Sequence, residues 1–128
     1  QYGSKYSYLI LSLLYPDRDW KDSTYHEDHI FPKSEFSARS LNARGYGTDT
    51  IALYQKHFNT IANLQLLTDK ENLEKNAEAF DRWLQTRDAL FKTRHSIPLL
   101  RDYGFDHFPE FIDMRRSDIR EKLKSISM

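Results

Sequence analysis

The segment Asn59–Leu67 (NTIANLQLL) most constrains the fold. Ile61, Leu64 and Leu66 alternate with Thr60, Asn63 and Gln65, the period-two pattern of a strand with one apolar face. Thr68 and Asp69 follow at once and offer N-cap side chains. The next stretch, KENLEKNAEAFDRWLQTRDALF, reads as one long helix with Leu73, Ala77, Phe80 and Leu84 as its buried stripe. A first strand is predicted upstream, where Tyr25, Ile30 and Phe31 are apolar and Pro32 ends the run.

The remaining segments arrange themselves around this unit. Residues 4–15 (SKYSYLILSLLY) have the apolar content of a helix buried on much of its surface, with Ser4 as cap and Pro16 after its end. Residues 16–24 are a polar connector. Residues 33–50 read as a long surface excursion, with room for a helical turn at 35–41, and residues 51–58 as a short helix. A loop surrounds Gly104, and residues 109–126 form a C-terminal helix with Phe111, Ile112, Ile119 and Leu123 facing in. The expected class is α+β, a two-stranded nucleus flanked by N- and C-terminal helices. At 128 residues the chain is one domain, 1–128. It opens at Gln1 and enters helical pattern within a few residues, as expected of an excised or processed piece of a longer protein.

Composition removes several chemistries. There is no cysteine, hence no disulfide framework, thiol nucleophile or cysteine-ligated metal. The longest apolar runs are Tyr8–Leu11 and Leu13–Tyr15, far short of the roughly 20 residues of a membrane span. No signal peptide is visible, and a cytoplasmic location is expected. Lys+Arg and Asp+Glu are both 19, so binding to DNA would be weak and would rely on local patches.

Chemistry concentrates in Asp28-His29-Ile30-Phe31-Pro32, then Asn63, then Asn72 and Lys75. Adjacent residues on an extended strand point to opposite faces, so Asp28 and His29 meet at one site only if the chain turns there. Asn72 and Lys75 share a helix face. A carboxylate plus an amide oxygen is a hard donor set suited to Mg²⁺ or Mn²⁺. A neutral histidine beside such an ion can take a proton from water, and Lys75 could hold a phosphate.

In these residues the sequence resembles the HNH, or ββα-metal, nucleases. The pattern is Asp-His-Ile-x-Pro on a first strand (Asp28, His29, Ile30, Pro32), an Asn opening a second strand (Asn63), and Asn-x-x-Lys on the next helix (Asn72, Lys75). The His-x-x-Pro signature, His29 to Pro32, and the NLQLL strand are most similar to the C-terminal domain of the GmrSD-type restriction endonuclease family. The resemblance implies a ββα-metal fold and metal-dependent hydrolysis of DNA, in phage defence or restriction of modified DNA. It implies that Asp28 and Asn72 hold the ion, that His29 is the general base, and that Asn63 ties the loop aiming it. It also implies an upstream nucleotide-using targeting domain. The separation of Asp28 from Asn72 is longer than in compact HNH domains.

Each residue also has a plainer reading. His29 could be a strand-edge histidine, Asp28 a turn carboxylate, Asn72 a helix-cap residue and Lys75 a solvated lysine. His26, two before Asp28 and on its face, could ligate metal, touch phosphate or be exposed. Arg39 and Arg44 are solvated or touch the DNA backbone. His57, His95 and His107 read as ordinary histidines, and Arg115, Arg116, Lys122 and Lys124 as a solvated helix face. A different class of function also fits: an inactive HNH-like module that binds DNA or protein without cutting.

Overall fold

The computed structural model of the protein describes residues 5–16 and 24–127. The expected cap at Ser4, Trp20 and most of the 16–24 connector lie outside the described residues. The elements run α1 (Lys5–Leu13), β1 (Tyr25–His29), α2 (Ala38–Ala43), α3 (Thr48–His57), β2 (Leu64–Thr68), α4 (Asp69–Lys75), α5 (Phe80–Gln85), α6 (Ala89–Arg94) and α7 (Phe108–Ser127). Short 3-10 turns at Lys33–Phe36, Ile61–Asn63 and Phe105–His107 join them. Among the described residues no helix is long and apolar enough to cross a membrane.

The two strands pair antiparallel, Tyr25 opposite Thr68 through His29 opposite Leu64. The architecture is mixed helix and sheet, with helix predominating. β2 is covered on both faces. Leu64 and Leu66 pack with Leu11, Leu14 and Tyr15 of the N-terminal segment and Ile119 of α7. Leu67 belongs to the larger core, which is rich in aromatic rings. At its centre Phe31 packs against Phe80, Phe108 and Phe111 at centroid distances of 4.9, 5.3 and 5.1 Å. Most of these pairs are tilted or edge-on, the favoured geometry for quadrupolar rings.

Several sequence expectations are corrected. The stretch after Thr68 is three helices rather than one. Asn76 takes φ +49° and stops α4, a conformation Asn tolerates better than most residues. Asp88 restarts the chain as the N-cap of α6, accepting from Phe91 N–H. Each break resets the helical phase. Within α4, Leu73 is 80% exposed while Lys75 is 1% exposed, the reverse of the expected stripe. The 33–50 excursion is structured: Ser37 caps α2, accepting from Ser40 N–H at 3.1 Å, and Leu41 is buried. Gly45, at φ +85°, turns the chain after α2. Helix α1 buries Leu11 but exposes Leu9 and Leu13. The largest correction is Arg115. It falls on the inward stripe of α7 between Phe111 and Ile119 and is fully buried, as is His95.

Candidate functional site

The site grows out of the passage from β2 into α4. Thr68 and Glu71 form a reciprocal capping box: Thr68 Oγ1 accepts from Glu71 N–H at 3.2 Å and Glu71 Oε1 accepts from Thr68 N–H at 3.0 Å. This fixes the start of α4 at the end of the strand, and the helix packs back over both strands. Its last residue, Lys75, points inward. The Nζ donates to the His29 carbonyl at 2.9 Å and pairs with Asp28 Oδ2 at 3.0 Å. Gln65, directly across the sheet from Asp28, donates to the same carboxylate oxygen at 2.9 Å. Asn72 stands one turn before Lys75 on the same side of α4 and is half-buried.

His29 leaves β1 in a different direction. Its ring stacks on Phe58 at 5.9 Å, and Nε2 lies 2.8 Å from Asn59 Oδ1. An amide oxygen only accepts, so in this arrangement Nε2 carries the proton and Nδ1 the lone pair. Burial pushes the imidazole pKa below its ordinary value; Asn59 and Asp28 pull the other way, and Lys33 and Lys75 add to the lowering. The ring is neutral at pH 7 as a result.

Asn63 is fully buried and spends its amide on backbone. Oδ1 accepts from Phe31 N–H at 2.9 Å, and Nδ2 donates to Phe31 O at 3.1 Å and Phe58 O at 2.8 Å. Its own carbonyl accepts from Ile30 N–H at 2.8 Å. One side chain thus joins the loop after β1 to the loop before β2, with His29 and Phe58 on either side. Arg115 clamps the same turn from behind. It donates to the carbonyls of Ile61, Ala62 and Leu64 at 3.0, 2.9 and 2.7 Å, and to His95 O at 3.1 Å. Burial lowers its pKa to about 10, so it remains charged at neutral pH, its charge met by carbonyl dipoles.

The other expected site residues lie apart from this centre. His26 pairs with Asp69 at the opposite end of α4, both partly exposed. Arg39 is exposed on α2. Arg44 is committed to Glu35 at 2.7 Å and lies over the Phe105 ring at 4.2 Å. Lys75, expected at a phosphate, is turned inward onto Asp28. Asn59, Gln65 and Arg115 were not singled out from sequence. Only the strand register could have marked Gln65, and only the helical stripe Arg115.

No protein-family model matches the chain, and no curated protein matches it either. The chemistry of the centre must therefore be judged from its own residues. Among the described residues no three His, Asp or Glu side chains gather as a metal cluster. The oxygen donors on offer are the Asp28 carboxylate and the Asn72 amide. That is enough for Mg²⁺, which keeps several waters and takes further oxygens from substrate phosphate. Gln65 Oε1, on the side chain that holds Asp28, is buried without a hydrogen-bond partner. A carboxylate and amide oxygens are the hard donors that a Mg²⁺ or Mn²⁺ site would use.

Proposed function

We propose that this domain hydrolyses phosphodiester bonds in DNA, with Asp28 and Asn72 holding one Mg²⁺ or Mn²⁺ ion and His29 acting as general base. The observation that supports it is a buried neutral imidazole next in the chain to a carboxylate that faces α4, close enough for Asp28 to act on the ring electrostatically. Bound there, the ion would act as a Lewis acid toward the charge developing on the phosphate and leaving oxygen. His29 Nδ1 accepts the proton of the water that attacks phosphorus. Asn59 receives the Nε2–H bond and favours the imidazolium that forms. Asn63 and Arg115 act as positioning residues, fixing both loops so that the ring is set before substrate arrives. Lys75 holds Asp28 and the His29 carbonyl in place.

One observation favours a second reading, an inactive module that binds DNA or protein on the same scaffold. The Lys75 ammonium already neutralises Asp28 without any metal. Titration calorimetry with Mn²⁺ on wild type, Asp28→Ala and Asn72→Ala separates the two. Hydrolysis requires saturable binding in wild type and its loss in both variants. Unchanged binding in both variants moves the metal elsewhere, and no binding in wild type favours the inactive module.

A further inference from the structure

A cavity of about 340 Å³ opens beside the segment that follows β1 and carries Phe31, within the range of small-ligand pockets. Its apolar side is formed by Phe31, Phe80, Phe105 and Tyr103. Tyr103 is held rigidly, its hydroxyl donating to Pro98 O at 2.7 Å and accepting from Leu100 N–H at 3.1 Å, and its ring meets Phe80 edge-on at 5.7 Å. The polar side carries two carboxylates, Glu35 and Asp81, and two guanidinium groups, Arg44 and Arg82. These charges sum to zero, which disfavours a phosphate or a cation as occupant. Four charged groups equally disfavour a purely apolar one. Arg44 is fixed between Glu35 and the Phe105 face, so its guanidinium plane stands ready to stack.

The geometry points to this cavity as a binding site for a nucleobase, a neutral planar ring bearing both hydrogen-bond donors and acceptors. Carboxylates accept from amino groups, guanidinium groups donate to ring nitrogen and carbonyl oxygen, and the outward face of the Arg44 guanidinium, whose inner face covers Phe105, offers a flat surface to the ring. The cavity is tied to the hydrolytic centre through Phe31, two residues after His29 and held by Asn63. Glu35 also lies within electrostatic range of both Asp81 and Lys75. The link to a base displaced from DNA rests on the proposed hydrolysis; the cavity's preference for a base does not.

The test is an NMR titration of the full chain with the four deoxynucleosides, with ribose as control, in wild type, Ala79→Leu and Arg82→Met. Ala79 lines the cavity and Leu would fill it; Arg82 is exposed, so its variant keeps the fold. Saturable shifts at Phe80, Tyr103 and Phe105 with nucleosides but not ribose, weakened at least tenfold by Ala79→Leu and several-fold by Arg82→Met, are expected. No such shifts, an equal response to ribose, or indifference to both substitutions overturns the proposal. A thymidine octamer and its fully abasic counterpart distinguish the source. Shifts from the intact octamer alone place a DNA base in the cavity. Shifts from free nucleosides but neither octamer support the site and assign it to free nucleosides. Equal shifts from both octamers mean the backbone is bound, which overturns it. Failure to cut DNA, with the cavity still binding nucleosides, would count against hydrolysis alone.

Discussion

Replacing Lys75 with Met removes one ammonium and little volume. In the native protein that ammonium is 1% exposed and sits 3.0 Å from a carboxylate whose side chain is 13% exposed. Removing one partner of a buried ion pair costs about 3–5 kcal/mol, because the remaining charge stays buried and uncompensated. Here Gln65 still donates to Asp28, which moderates the loss, while the His29 carbonyl loses its donor, adding about 1 kcal/mol. A net loss of about 4 kcal/mol is a large share of the 5–15 kcal/mol typical of a domain. It corresponds to a fall in Tm of roughly 10–20 °C for a chain of this size. The double variant Lys75→Met, Asp28→Asn removes the stranded charge and is expected to recover about 1–3 kcal/mol relative to the sum of the single changes. Urea and thermal melts followed by circular dichroism measure all four proteins. A Lys75→Met variant within about 1 kcal/mol of wild type, or strict additivity in the cycle, would refute the reasoning and return Lys75 to the surface role suggested by sequence.

Two further outcomes are expected. Arg115→Leu removes four donated hydrogen bonds and should destabilise by about 4 kcal/mol, at about 1 for each; a melting temperature equal to wild type would contradict the clamp. Burial, chiefly, places the pKa values of His29 and His57 below the ordinary imidazole value, with Arg116 adding to the effect at His57. Both groups bind fewer protons folded than unfolded, so their contribution is present above about pH 6.5 and is lost as pH falls through the depressed folded values. Tm should fall between pH 7.5 and 5.5, and a rise over that window would be inconsistent with these burials.

The nucleus was legible because its signals are local. Leu64 and Leu66 marked β2, although the strand expected over 59–67 opens only at Leu64, after a 3-10 turn, and buries Gln65 as well. Thr68 with the residues after it marked the start of α4. Asp28 and His29 fall at the end of the first strand as expected, but both stay in the extended ladder, and Asn63 lies in the turn before β2 rather than on the strand. The rest depended on contacts that no local pattern carries. Within α4 Lys75 faces inward onto Asp28 and Leu73 faces outward, against the apolar stripe, because the helix stops at Asn76 and its face is not in phase with Phe80 and Leu84. Arg115 reads as a solvated arginine until four carbonyls are found around it. The short helix expected at 51–58 is α3, with Ile51, Tyr54 and Phe58 packing on the core, whereas α2 is held chiefly by Leu41 and gave only the signal of a helical turn. Asn59 is 30 residues from the histidine it orients, a separation at which sequence alone offers no pairing.

The central claim is that His29 takes the proton from the attacking water. Plasmid cleavage by wild type and His29→Ala, with Mg²⁺ or Mn²⁺ and with thermal melts of both proteins alongside, tests it most directly. The account predicts a folded Ala variant that still binds Mn²⁺ and whose cleavage rate falls by roughly 10²–10⁴-fold, the usual contribution of a general base. An Ala variant that is folded and cuts at the wild-type rate would contradict it.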